Sequence, residues 1–289
     1  MTYTGRFAPS PSGPLHRGSL LTAVASFLDA RASGGQWLLR IEDTDHQRSR
    51  AHYADLIQQT LHTYGLVWDG PVLTQSLRLQ TYHDRLDHLA AHHHLYNCSC
   101  SRAQLRGHTI YPGNCRQQDE PLRQNQNWRL RAADLELSFS DLLHGPQQYH
   151  LPSNCGDIIL RRRDGDIAYT LAVVVDDADS AVTHVVRGSD LLSDTAVQIY
   201  LQRLLGLPAL EYLHIPVLLD TNGRKYSKQN HAPPLSLNNP VPALIDTLTL
   251  LGHPPPTSMY GASVQDLLAY TAMHWQRINI PRTLKPFSP

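Results

Sequence analysis

Apolar and polar positions along this chain alternate between the period of a strand and the period of a helix. Tyr3 to Ala8 reads as a strand, Pro9-Ser10-Pro11-Ser12-Gly13 as a turn, and Leu20 to Ala32 as a helix. Gly34-Gly35 ends that helix, and Trp37 to Ile41 reads as a second strand. Helical spacing returns over Ala51 to Tyr64 and over Thr74 to Ala91. This alternation predicts an α/β fold built on a doubly wound parallel sheet, with ligands at the carboxyl ends of its strands.

From about Tyr96 to about Ile158 the pattern breaks, and Gln, Asn, Pro and Cys become frequent. This segment reads as an insertion between two halves of the sheet. Alternation resumes with the apolar segment Ile167 to Val175, a strand pair around Val182 to Arg187, a helix from Thr195 to Leu205 and a strand from His214 to Leu219. Pro233-Pro234 then precede helical patterns. The expected organisation is a first half of the sheet domain (1–95), an insertion (96–158), a second half (159–230) and a short helical C-terminal subdomain (231–289). There is no internal repeat.

At 289 residues, with 41% apolar and 17% charged residues, the chain has enough material for a globular core. No apolar run is long enough to span a bilayer, and Leu171 to Val175 stops at Asp176-Asp177. The first residues lack the apolar core of a secretory leader, and four cysteines do not make a disulfide scaffold. A reducing, cytoplasmic compartment is therefore expected. Zero formal charge argues against broad polyanion binding, although Arg161-Arg162-Arg163 forms a local basic patch. The 17 histidines make the charge balance sensitive near neutral pH.

Two segments carry the strongest chemical signal. Near the start, a Pro/Ser/Gly turn and His16 precede a helix, so small residues, orphan backbone N–H groups and an imidazole gather where a helix favours phosphate. Much later, Lys225-Tyr226-Ser227-Lys228-Gln229 places two lysines around a serine, which suits a cationic clamp on a polyphosphate. Neither Gly-x-Gly-x-x-Gly after the first strand nor a Gly-x4-Gly-Lys-Ser/Thr loop is present, so dinucleotide and P-loop readings have no support. Arg40-Ile41-Glu42-Asp43-Thr44-Asp45 and Arg187-Gly188-Ser189-Asp190 close two predicted strands, and Arg6 lies inside the first. Two arginines and Glu42 around one crevice match an acidic amino acid, with Glu42 for its ammonium and arginine for its carboxylates.

The first and last of these motifs resemble the HIGH and KMSKS elements of class I aminoacyl-tRNA synthetases. The four segments together, in this order, resemble glutamyl-tRNA synthetases over about residues 3 to 230. The resemblance implies activation of glutamate by ATP, followed by transfer to tRNA. It implies that Arg6, Phe7, Ala8, Pro9, Ser10, Glu42, Tyr169 and Arg187 bind glutamate. It assigns ATP to His16, Gly18, Ser19, Lys225, Ser227 and Lys228, with His16 and Lys228 as the catalytic pair. Ser19 stands where the first motif has its second His, and Tyr226 and Gln229 replace Met and the final Ser of the second. The chain runs only about sixty residues past the second motif, which resembles the truncated, glutamyl-queuosine branch of the family. That branch attaches glutamate to queuosine in the anticodon loop of tRNA(Asp). The resemblance implies L-glutamate, ATP with Mg²⁺ and queuosine-bearing tRNA(Asp) as partners, a monomer, and no membrane. The alternative is an ordinary glutamyl-tRNA synthetase charging a tRNA 3′ end.

The predicted insertion holds Cys98-Ser99-Cys100 and Tyr111-Pro112-Gly113-Asn114-Cys115. Thiolates at this spacing can share one Zn²⁺, with a phenolate or imidazole completing a tetrahedron. Buried core thiols are the alternative. The resemblance implies Cys98, Cys100, Tyr111 and Cys115 as the zinc ligands. From the residues themselves, His108 is the alternative fourth ligand, and the site is expected to be structural.

Overall fold

The computed structural model describes residues 2–118, 121–220, 223–226 and 232–284. Strands β1 (Thr4–Phe7), β2 (Gln36–Ile41) and β3 (Leu73–Thr74) pair in parallel in that order. Helices α1 (Arg17–Ala32) and α2 (Ala51–Thr63) connect them, and a short 3₁₀ turn leads into α3 (Leu79–Ala91). An antiparallel group follows, with β4 (Leu95–Cys98) and β5 (Asn127–Leu130). Then come β6 (Glu136–Asp141), β7 (Gly145–His150), α4 (Leu151–Asn154) and β8 (Ile159–Arg161). The second winding comprises α5 (Tyr169–Asp179), β9 (His184–Gly188), α6 (Asp194–Leu204) and β10 (Glu211–Ile215). Helices α7 (Pro240–Leu250) and α8 (Val264–Met273) follow, and a short 3₁₀ turn comes after α8.

β9, β10 and β6 are parallel neighbours, and the β6–β7 hairpin extends that sheet. The two sheets meet where the Thr183 N–H donates to the Thr4 carbonyl at 2.9 Å and the Thr4 N–H donates to the Thr183 hydroxyl at 2.9 Å. The parallel, doubly wound α/β architecture expected from the alternation is present. No helix among the described residues is long and apolar enough to cross a membrane.

Helix α1 is the axle of the fold. Its residues from Ala23 to Ala30 are all buried, because sheet strands cover one side and α7 and α8 the other. Asp29 is the charged exception, 1% exposed. It accepts the Tyr3 hydroxyl at 2.6 Å, Trp275 Nε1 at 3.0 Å and Arg277 Nε at 2.7 Å, so the helical tail is anchored on the first winding.

Most of the apolar segment Ile167 to Val175 is helix α5, where packing on both sides overrides the strand preference of Val173-Val174-Val175. Two strands differ from the sequence expectation. The expected strand pair around Val182 to Arg187 is the single strand β9. The strand expected from His214 to Leu219 is β10, which ends at Ile215 because Pro216 has no N–H for the ladder.

Candidate active site

The carboxyl ends of β1, β2 and β9, the segment after β10 and the N-terminus of α1 surround one cavity of about 440 Å³. Arg6, Phe7, Ala8, Pro9, Ser10, His16, Gly18, Ser19, Glu42, Tyr169, Arg187 and Lys225 all line it. Five stretches far apart in sequence, around residues 6–19, 42, 169, 187 and 225, are thus brought to one place. Ser227, Lys228 and Gln229 lie outside the described residues.

The phosphate-favouring end is built on α1. His16 is its N-cap: Nδ1 accepts the Ser19 N–H at 3.2 Å, and Nε2 lies 3.2 Å from the Ser19 hydroxyl. An accepting Nδ1 leaves the ring proton on Nε2. Ser19, at the position of the motif's second His, thereby holds the His16 ring from both nitrogens. A Cβ on Gly18 would sit 2.9 Å from the Tyr226 carbonyl oxygen, so glycine permits the close pass of the second motif over the helix. Tyr226 fills its place by packing edge-on against His16, with ring centroids 6.1 Å apart. Lys225 Nζ contacts Asp190 Oδ2 at 2.5 Å, which joins the second motif to the turn after β9.

The opposite end carries buried charge. Arg6 Nε donates to Asp177 Oδ1 at 3.0 Å, and Arg40 Nη1 donates to the same oxygen at 2.6 Å. Arg40 also contacts Glu42 Oε1 through Nη2 at 3.2 Å. Burial works to raise the Asp177 carboxyl, but Arg40 and Arg6 prevail and hold it below the ordinary carboxylate range. Burial prevails at Glu42 and raises it, with Arg40 and Arg6 opposing. Tyr169 is 36% exposed as a whole. Burial of its hydroxyl end and the Glu42 charge raise the phenol, against Arg187 and Arg6. Asp176, beside Asp177, faces another way and accepts Gln75 Nε2, Arg78 Nε and the Tyr82 hydroxyl at 2.7–2.8 Å.

Arg187, 4% exposed, has a different setting. Its Nε donates to His214 Nε2 at 3.0 Å, Nη1 to Gln198 Oε1 at 2.8 Å and Nη2 to Thr195 Oγ1 at 2.8 Å. All three acceptors are neutral. Sequence reasoning missed Asp177, Asp141 and His214. The visible signal was two consecutive acids closing an apolar run, which seldom stay charged in a core without arginine partners.

A second cluster lies apart from this cavity and shares none of its lining residues. The Sγ atoms of Cys98, Cys100 and Cys115 lie within 4.8 Å of one another, and all three residues are buried. The Tyr111 hydroxyl is 3.5 Å from Cys98 Sγ and 3.6 Å from Cys100 Sγ. Burial works against ionisation of Cys115, but hydrogen bonds from Tyr111 and Ser99 lower its thiol to about 7. Three buried sulfurs and a convergent phenol fit a thiolate-binding ion, and this group can hold a metal. Among the described residues, His108 is exposed and stands outside the three-sulfur group, and Cys155 is a separate free thiol.

Residues 3–259 match the family described as tRNA synthetases class I (E and Q), catalytic domain. Over 284 residues the chain is 49% identical to a glutamyl-Q tRNA(Asp) synthetase from Thiobacillus denitrificans, covering 96% of this chain and 94% of that protein. A glutamyl-Q tRNA(Asp) synthetase from Aromatoleum aromaticum is 45% identical over 294 residues, covering 99% and 93%. The crystal structure of a glutamate tRNA ligase from Elizabethkingia meningosepticum shares the fold with a TM-score of 0.82 at 23% identity, covering all of this chain and 67% of that one.

Proposed function

We propose that this chain, which belongs to the class I tRNA synthetase family of the E and Q catalytic-domain type, activates L-glutamate with ATP and transfers it to queuosine in the anticodon loop of tRNA(Asp). The observation that carries the reading is the cavity that joins a buried arginine–glutamate floor to the capped N-terminus of α1.

Charge selects the amino acid. Arg6 and Arg40 are balanced by Asp177 and Glu42, which leaves the Arg187 cation without a carboxylate partner among the described residues. A glutamate zwitterion carries one net negative charge and restores the balance, whereas glutamine does not. Glu42 takes the ammonium, and Arg187 and Arg6 take carboxylate oxygens.

The chemistry uses no protein nucleophile. The glutamate α-carboxylate attacks the ATP α-phosphorus and releases pyrophosphate with its Mg²⁺, leaving glutamyl-adenylate. Positioning and charge stabilisation do the work. Gly18 and Ser19 at the start of α1 hold phosphate, with the His16 ring capping the helix beside them. Lys225, Ser227 and Lys228 serve the polyphosphate, with Lys228 and His16 meeting the charge that develops on it. A cyclopentenediol hydroxyl of queuosine then attacks the acyl carbon and displaces AMP. Cys98, Cys100, Cys115 and Tyr111 would hold a structural Zn²⁺, which contributes folding energy to its segment and no step of the reaction.

The test is transfer of labelled glutamate to tRNA(Asp) with and without queuosine, and to tRNA(Glu). Mass spectrometry of the nucleosides should find glutamate on queuosine only. Glutamate on the 3′-terminal ribose of tRNA(Glu) would establish the ordinary synthetase instead.

A further inference from the structure

Behind Arg187 a buried chain of hydrogen bonds runs away from the cavity. Parallel pairing of β9 with β10 sets Arg187 directly beside His214. The His214 ring is fully buried, with Nε2 at 3.0 Å from Arg187 Nε and Nδ1 at 2.7 Å from Asp141 Oδ2. Asp141 ends β6, and its Oδ1 accepts the N–H groups of Leu143 at 3.0 Å and His144 at 2.9 Å. Its Oδ2 also accepts the His214 N–H at 3.1 Å.

We infer that His214 is a positioning residue, whose neutral ring, protonated on Nδ1, is the acceptor that aims the Arg187 guanidinium at a substrate carboxylate, and that Asp141 fixes this tautomer. The identity of that substrate as glutamate rests on the function proposed above.

The hydrogen inventory leaves one arrangement. A guanidinium only donates, so Nε2 facing Arg187 Nε must present its lone pair. Asp141, already accepting three backbone N–H groups, needs the ring proton on Nδ1. A second ring proton would point at Arg187. The groups that face the ring are Arg187 from β9, Asp141 and His144 from the end of β6, Thr195 of α6, and Tyr212 on its own strand. Burial and the Arg187 charge hold the imidazole below the ordinary histidine range, with the Asp141 bond opposing them. The choice of acceptor matters for function. A carboxylate in this place would fix the guanidinium equally well but would cancel its charge. A neutral imidazole fixes it and leaves the charge for the ligand. Gln198 repeats the pattern, committing Oε1 to Arg187 while its buried Nε2 has no partner.

Two measurements test the assignment. Long-range ¹H–¹⁵N spectra of the intact protein, with the His214 signal identified by its loss in His214→Gln, read the tautomer directly. Kinetics of glutamate-dependent ATP–pyrophosphate exchange then compare His214→Gln with His214→Asn. The Gln carbonyl reaches the place of Nε2 and can accept from Arg187; the Asn amide reaches only the place of Nδ1. We expect a ring protonated on Nδ1 alone. His214→Asn should raise the glutamate KM roughly tenfold, about the weight of one hydrogen bond to a charged group, with kcat changed much less. His214→Gln should stay within about threefold of the parent. A proton on Nε2, equal rises in KM for both variants, or no rise in either would overturn the assignment. If the parent protein shows no glutamate-dependent exchange, the proposed function fails. The tautomer then decides the positioning role alone, as it does if the variants do not fold.

Discussion

Arg6 and Arg187 reach the same cavity from two strands, and both are 4% exposed, yet they are held in opposite ways. Arg6 shares the Asp177 carboxylate with Arg40, so its charge is largely answered within the protein. Arg187 is held by the imidazole, amide and hydroxyl of His214, Gln198 and Thr195. The comparison separates two tasks that sequence alone merges under "site arginine". On the Arg6 side a buried ion network ties β1, β2 and α5 together, so Arg6 enters the cavity with most of its charge already answered by Asp177. The Arg187 side is a cation on a rigid neutral mount, with no carboxylate at salt-bridge distance among the described residues, which suits recognition of an anionic substrate.

The most damaging way to break the comparison is at Asp177. Asp177→Asn leaves two arginines buried without their shared anion, and removing one partner of such a group costs about 3–5 kcal/mol. Urea unfolding should show that loss. A wild-type midpoint would mean the Arg6 side is not held by this carboxylate.

Arg187→Gln tests the other half. It should raise the glutamate KM roughly 10- to 150-fold, since a hydrogen bond to a charged group contributes about 1.5–3 kcal/mol. Its stability loss should be smaller than that of Asp177→Asn, because the groups left behind are neutral. Steady-state exchange kinetics alongside the same urea series would show whether the two effects separate.

Acidity sharpens the contrast by a smaller amount. The native His214 titrates below the ordinary histidine range, so the unfolded chain binds its proton first as pH falls below about 6.5. Stability should therefore drop on acidification, by at most about 1.4 kcal/mol per pH unit from this group. His184 and His253, also lowered chiefly by burial, add to the same slope. Asp177 is depressed, so its contribution persists until the pH falls below about 4. Glu42, raised by burial, works in the other direction as pH rises above its ordinary range. His214→Gln should flatten the slope between pH 6.5 and 5, and an unchanged slope would remove His214 from this account.

Much of the cavity was legible because motif residues sit at strand and helix ends, where the chain must turn and where composition stands out. The Arg6 to Gly13 segment, Glu42, Arg187 and Lys225 are of that kind. The supporting residues were not legible for a related reason. Asp177 lies within helix α5, whose valine-rich run hides its helical period, and His214 reads as one polar residue in a short strand. Their partners stand 171 and 73 residues away in sequence, for Arg6–Asp177 and Asp141–His214. Only the closed sheet makes them neighbours. The antiparallel strands of the 96–158 span were likewise hidden, because polar strands such as β7, with its two Gln, gain their order from ladder hydrogen bonds and not from an apolar face.

The proposed role of Arg187 is to supply the charge that selects an acidic amino acid. Its most direct test is ATP–pyrophosphate exchange without tRNA, comparing glutamate with glutamine in the parent protein and in Arg187→Gln. The parent should prefer glutamate by roughly 10-fold or more, and that preference should collapse in the variant. Equal exchange with the two amino acids in the parent, or an undiminished preference in Arg187→Gln, would contradict it.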